Sequence, residues 1–85
     1  MYCTFEVEFD LPIDPAKERE VCEIAARFGG KLDQRTEQNW PGVAMYVSLL
    51  FVCDDELRWK SAQEAIHAAG YDVIPGVRLR DDDWD

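Results

Sequence analysis

The stretch Val43–Cys53, VAMYVSLLFVC, decides the fold. Every second residue in it is apolar, and successive side chains of a β-strand point to opposite faces. One face therefore carries Val43, Met45, Val47, Leu49, Phe51 and Cys53. The other face (Ala44, Tyr46, Ser48, Leu50 and Val52) is also mostly apolar. A strand that is apolar on both faces is typical of the centre of a sheet, so we expect neighbours on both sides of it.

The N-terminal stretch YCTFEVEFD (2–10) predicts a second strand, with a clean alternation of apolar and polar residues. Its apolar face consists of Cys3, Phe5, Val7 and Phe9. Its polar face consists of Thr4, Glu6, Glu8 and Asp10. This period of two indicates a strand with one buried and one open face.

Two helices are predicted from their capping residues. Asp14 followed by Pro15 favours the start of a helix, and Asp55 favours the start of another. Glycines at 29–30 and at Gly70 predict their ends. The buried side of the first helix is predicted to be Val21, Ile24, Ala25 and Phe28. That of the second is predicted to be Trp59, Ala62, Ala65, Ile66 and Ala69.

The two remaining strands carry the marks of sheet edges. KLDQRTEQ (31–38) is polar and alternates poorly, and the NWPG stretch (39–42) after it predicts a turn. YDVIPGVRLR (71–80) contains Pro75-Gly76, which indicates a bulge or an edge position.

This β-α-β-β-α-β order resembles the ferredoxin-like split βαβ arrangement over about residues 2–80. The resemblance implies a single α+β domain (1–80) with the layers of an α/β sandwich. The acidic residues 81–85 are expected to form a C-terminal tail. Right-handed crossovers place both helices on one face of a four-stranded antiparallel sheet of order 4-1-3-2. We expect Phe5, Val7, Leu49 and Phe51 on the helix side, and Cys3 close to Cys53.

Net charge, cysteine content and the absence of long apolar runs disfavour several classes of function. Of the 85 residues, 18 are acidic and nine basic, for a net charge of −9, which disfavours direct binding of nucleic acid and favours a basic partner. Three cysteines without a CxxC pair predict reduced thiols rather than a disulfide framework or a zinc site. The N-terminus lacks a basic region typical of a signal peptide, and no apolar run is long enough for a membrane span. We therefore expect a cytoplasmic protein that does not bind a membrane.

The sequence lacks the motifs that characterise several known families of ferredoxin-like domains. GVAMYVSLLFV (42–52) lacks the aromatic and basic signature of RNA-recognition motifs. DLPIDP (10–15) has neither the CxxC of metal chaperones, the arginine of acylphosphatases, nor the glycine of ACT-type regulatory domains.

Catalytic and metal sites are not indicated elsewhere either. A lone His67 on a helix surface gives no catalytic arrangement. CDDE (53–56) is typical of a helix start, and the acids of DDDWD (81–85) lack the glycine turn of a calcium loop. We expect no catalytic residue, cofactor, metal or enzyme activity.

A candidate interaction surface remains on the open side of the sheet. Tyr46, Leu50 and Val52 form an apolar stripe there, beside Glu6 and Glu8, and apolar stripes rimmed by charge commonly mark interaction sites.

Two tryptophans could extend that surface. Trp40 in the hairpin is either folded back or available as an anchor. Trp84 lies in the tail, which is either solvated or docked on a basic surface, and its ring could instead stack with Arg78 or Arg80.

Two functions fit these features. One is a small acidic, non-enzymatic protein that inhibits or regulates a basic partner, such as a nucleic-acid enzyme. In this respect the chain resembles acidic bacterial regulators of the ribonuclease E inhibitor type. The alternative is a structural or regulatory module that forms homodimers through its open sheet face.

Overall fold

A computed structural model describes the backbone of residues 2–79 and the side chains of residues 2–76. The elements are β1 (Tyr2–Asp10), α1 (Pro15–Arg27), β2 (Lys31–Trp40), β3 (Ala44–Cys53), α2 (Glu56–Ala68) and β4 (Asp72–Leu79). The sheet has the order β2-β3-β1-β4 and every neighbouring pair is antiparallel. This is the predicted ferredoxin-like order, 4-1-3-2, counted from the other edge.

Both helices begin and end where their capping residues predict. The Asp14 carboxylate accepts the backbone N–H of Ala16 at 3.1 Å, and Asp55 accepts the corresponding bond in α2 at 2.8 Å. Gly29 and Gly70 follow the helices with φ of 77° and 98°, a conformation that glycine adopts without steric cost.

The core lies between the helices and one face of the two central strands. Phe5 and Phe51 sit directly opposite each other on β1 and β3, with ring centroids 5.1 Å apart and planes 18° apart. Val7 and Leu49 are buried in the next row, as predicted. No helix within residues 2–79 is long and apolar enough to cross a membrane.

The predicted core face was wrong at the hairpin end of β3. Val43 is 79% exposed and Met45 is 48% exposed, and the buried residues of this face begin at Val47. The reason lies in the register: β1 ends at Asp10, which pairs with Tyr46, so the residues before position 46 extend past the neighbouring central strand.

Two smaller expectations also need correction. Residues 39 and 40 belong to β2, so the turn spans Trp40–Val43, where the Val43 N–H donates to the Trp40 carbonyl at 2.9 Å. Gly42 has a φ of 81° in this turn. Ala69, expected in the buried stripe of α2, is the C-cap residue and is exposed because the helix has ended.

The cysteines contribute to the core. Cys3 lies directly opposite Cys53, as expected, and both are buried, while Cys22 is partly buried. Burial raises the pKa of the Cys22 and Cys53 thiols, so both are held in the neutral form. The structure contains no disulfide between them.

A side chain from α2 forms a hydrogen bond to the backbone at the bulge between β1 and β4. The register shifts between Cys3 and Phe5, opposite the Pro75-Gly76 segment. A Cβ atom at Gly76 would lie 2.5 Å from the Thr4 carbonyl oxygen, so only glycine fits there. The Trp59 indole Nε1–H donates to that same carbonyl at 2.8 Å, which ties α2 to the sheet.

The polar edge strand β2 is held to α1 by an ion pair. Arg35 donates through Nε to Glu18 Oε1 at 2.7 Å and through Nη2 to Oε2 at 3.3 Å. Such a two-bond contact between a guanidinium and a carboxylate has a defined geometry. The ion pair therefore helps to hold β2 in place, because the polar sequence of this strand specifies its register only weakly.

The first test concerns the core. Replacing Phe51 with alanine should lower the free energy of unfolding by about 3–5 kcal/mol, because it removes a stacked ring and leaves a cavity. Urea unfolding measures this loss. A change below about 1 kcal/mol would contradict the assignment of this face to the core.

The second test concerns the bulge. Trp59→Phe should lower the free energy of unfolding by about 1–3 kcal/mol, because it leaves the Thr4 carbonyl without the indole donor. Trp40→Phe is the matched control, since Trp40 is 65% exposed, and should change stability by less than about 0.5 kcal/mol. Equal losses in the two variants would show that the indole bond contributes nothing.

Candidate functional site: the open sheet face and an acidic cleft

The sheet face that points away from both helices, called the open face below, brings the predicted binding residues together. The register places Glu6 directly opposite Leu50, and Thr4 opposite Val52. Glu8 and Tyr46 lie further along the same two strands. Their side chains are half-buried by their neighbours within the sheet. Within residues 2–79, no helix covers them, so they form a continuous surface.

Ile74 belongs to this surface and sequence reasoning missed it. It lies on β4 directly opposite Glu6, so Leu50, Glu6 and Ile74 form one row across the sheet. Its side chain is exposed. Alternation along β4 would have assigned Ile74 to the open face, but Pro75-Gly76 interrupts that alternation. The register of an edge strand next to a bulge cannot be read from the sequence alone.

The two tryptophans of the predicted site are not adjacent to this apolar row. Trp40 pairs with Ala44 at the hairpin end, six residues before Leu50 on β3, which corresponds to roughly 20 Å along the strand. Its exposure makes it available as an anchor at that end. Trp84 lies outside the described residues.

Charge is distributed differently on the two layers. Helix α1 carries three acidic and three basic residues, and α2 carries two of each. The open face carries four carboxylates on β1 and β4 (Glu6, Glu8, Asp10 and Asp72) against one lysine, Lys31 on β2. Among the described residues, the open face is therefore negative where the helical surface is balanced.

The carboxylate of Glu6 is held within the face by a weak hydrogen bond. The Ser48 hydroxyl donates to its Oε2 at 3.5 Å, and Ser48 is itself buried. This contact links the acid to the central strand β3 and keeps its charge next to Leu50.

The other side chains that could serve in catalysis or metal binding either lie on a helix surface or already cap a helix. His67 is exposed on α2, and the Asp55 carboxylate caps that helix. Within the described part of the chain, no three histidine, cysteine or acidic side chains form a group that could hold a metal ion.

A second feature, which sequence analysis did not find, is a cleft of about 670 Å³. We call it the acidic cleft. It lies between the β1–α1 loop and the α2–β4 connection, and its lining residues are Glu8–Pro15, Lys17 and Ala69–Asp72. Its residues come from two segments that are distant in sequence, so only the assembled fold reveals it.

Aromatic side chains form part of the acidic cleft. Phe9 and Tyr71 contact each other edge to face, with ring centroids 5.6 Å apart. The Tyr71 hydroxyl donates to Glu20 Oε2 at 2.7 Å, which links the α2–β4 connection to α1. This hydrogen bond to a carboxylate raises the pKa of Tyr71 to about 12, so the phenol keeps its proton to a higher pH than an ordinary tyrosine does.

The Tyr71 bond gives a prediction with a defined pH dependence. Tyr71→Phe should lower the free energy of unfolding by about 0.5–1 kcal/mol near neutral pH, because the bond is solvent-accessible. A pKa raised in the folded state stabilises the fold below about pH 10, and this contribution is lost as pH rises toward about 12. Urea unfolding of both proteins across this range measures it. A difference that stays constant through that window would contradict the Tyr71–Glu20 contact.

Comparisons with known proteins identify no family. No protein-family model matches the chain, and no curated protein matches it. Among solved structures, it is similar to the crystal structure of an EthD-like protein from Ralstonia eutropha JMP134, with 19% identity and a TM-score of 0.46. That similarity covers 95% of this chain and 96% of the other. The assignment to the ferredoxin-like fold comes from the order of the elements and of the strands.

Proposed function

We propose that this protein is a small, non-enzymatic binding protein that regulates or inhibits a basic protein partner through its open sheet face. The observation that carries the proposal is the row formed by Leu50, Glu6 and Ile74, in which a carboxylate lies between two apolar side chains on an uncovered sheet. Such a row can bury apolar area against a partner while it pairs with a cation of that partner.

The distribution of charge supports a basic partner. A surface with carboxylates of one sign attracts a positively charged protein over several ångströms and orients it during encounter. Basic channels that bind the phosphates of nucleic acids present the complementary charge. We therefore propose a nucleic-acid enzyme as the class of partner, in line with the resemblance to acidic regulators of the ribonuclease E inhibitor type.

The absence of enzyme activity is part of the proposal. Two of the thiols have a raised pKa, which disfavours the nucleophilic thiolate, and His67 stands alone on a helix surface. Reduced thiols suit a reducing compartment, and we propose the cytoplasm as the location.

Self-association through the open face is the second candidate, favoured by the apolar side chains of Leu50, Val52 and Ile74. A two-fold pairing of this face would also bring the β1 carboxylates of two copies near one another, which opposes association. Light scattering at micromolar concentration distinguishes the candidates. A monomer agrees with the proposal, and a stable homodimer favours the alternative.

The proposal predicts a specific effect of charge reversal. Glu6→Lys with Glu8→Lys should weaken capture of partners from the source cell and slow association more than it speeds dissociation. The matched control is Glu23→Lys with Glu64→Lys, which makes the same charge change at exposed positions on the helices.

Affinity capture at low and high salt, followed by measured association rates of each captured protein, checks this expectation. Proteins retained by the control variant but lost from the sheet variant are partners of the open face. Equal loss from both variants would refute a role for this face, because only net charge would then matter.

A further inference from the structure

The outer edge of β2, called the β2 edge below, is open for pairing with another strand. The inner side of β2 is paired with β3, and among residues 2–79 no strand lies on its outer side. In that part of the chain, no protein group bonds to the backbone groups of residues 34–39 that point away from β3. Such a row of N–H and C=O groups is a template for a further strand.

The two edges of the sheet differ in how they are protected. The other edge strand, β4, contains Pro75, which has no N–H to donate, and the register of the β1–β4 pair shifts beside it. In β2 the register shifts only near the start, between Leu32 and Gln34. Residues 34–40 then pair with β3 without interruption and include no proline. The β2 edge is therefore regular over a length that a second strand can match.

The charges along the β2 edge are self-complementary. Antiparallel strands related by a two-fold axis place residue i opposite j and residue j opposite i, with opposite side chains on the same face. With the axis at Thr36, Arg35 lies opposite Glu37 of a second copy, and Glu37 lies opposite Arg35 of that copy. Thr36 then lies opposite Thr36 of the second copy. Opposite charges and paired threonines at such positions stabilise a sheet.

The neighbouring registers lack this match. The axis must pass through a residue, because opposite side chains share a face. With the axis at Arg35, two arginines would lie opposite each other, and with the axis at Glu37, two glutamates would. Like charges directly opposite each other destabilise a pair of strands. The charges of β2 therefore protect its edge in these registers and favour pairing in the register centred on Thr36.

Arg35 can join this pairing without losing its contact with α1. Its Nε and Nη2 donate to Glu18, and its Nη1 donates to Glu37 of the same chain at 3.3 Å. A guanidinium has five N–H donors, so two remain beyond these three bonds. Arg35 and Glu37 are both exposed, so a second copy can reach them.

We propose that two copies of this chain pair through their β2 edges, in the register centred on Thr36, and join their two four-stranded sheets into one. The two-fold axis stands perpendicular to the sheet, so both helical layers lie on one side and both open faces on the other. The pair leaves the open faces uncovered and presents two of them to one partner, which goes beyond the proposed function.

The pairing should be weak. A single pair of strands buries less area than a stable interface does, so we expect association at about 1 mM and a monomer at micromolar concentration. Light scattering at micromolar concentration therefore still distinguishes the two candidate functions, because it reports on the open-face dimer.

Sedimentation equilibrium and amide chemical shifts of the full chain, recorded from about 20 µM to about 1 mM, test the pairing. Concentration-dependent shifts should be confined to residues 34–40. Glu37→Arg creates two opposite pairs of like charge and should weaken self-association about five-fold or more. Glu64→Arg, the matched control at an exposed position on α2, makes the same change in net charge. It should alter self-association by less than about two-fold at physiological ionic strength.

A mixture of two variants separates this register from a general effect of charge. Arg35→Glu and Glu37→Arg each place like charges opposite each other, but every opposite pair is complementary when each copy carries one of the substitutions. The mixture should associate about five-fold or more tightly than either variant alone. A mixture of Glu64→Arg with Arg58→Glu, the matched control on α2, should gain nothing over its components. Because Arg35→Glu also removes the contact with Glu18, the shifts and the Glu37→Arg variant test the pairing even where this variant does not fold.

Three outcomes overturn the inference. They are no concentration dependence up to about 1 mM, shifts centred on the open face or on β4, and equal effects of Glu37→Arg and Glu64→Arg. The fate of the proposed function is separable. A chain that associates through β2 but captures no basic partner keeps the edge pairing and removes the proposed function. A chain that captures a partner but shows none of these shifts refutes the edge pairing and leaves the open face as the binding surface.

Discussion

The contact between Phe5 and Phe51 fixes the side of the sheet to which every other residue belongs. The two rings stack across the central strands and are almost fully buried under the helices. Because side chains alternate along a strand, a shift of one residue in β1 would bury Glu6 and expose Phe5, and the same shift in β3 would bury Leu50 and expose Phe51. The buried pair therefore keeps Glu6 and Leu50 opposite each other on the open face. The candidate site is a geometrical consequence of the core.

The sequence was sufficient for the features that depend on local patterns. Alternation over 2–10 and 43–53 predicted the central strands, and Asp14 and Asp55 predicted the helix starts. The same rule failed at Val43 and Met45, because alternation continues past the end of the neighbouring strand that would have buried them.

Features that need two distant segments could not be predicted from local patterns. The bond from Trp59 to the Thr4 carbonyl and the ion pair of Arg35 with Glu18 join residues 55 and 17 positions apart. The acidic cleft likewise forms from two segments that are distant in sequence. These contacts depend on the assembled packing of helices on sheet, which no periodicity in the sequence encodes.

The helical layer and the open sheet face differ in burial and in charge. The helical layer buries the core and carries balanced charge, whereas the open face combines apolar side chains with carboxylates. Methyl chemical-shift mapping with a captured basic partner tests this division most directly. The account predicts large shifts for Leu50, Val52 and Ile74, and none for Leu57, which is 75% exposed on α2. Shifts confined to Leu57 and the helices would contradict it.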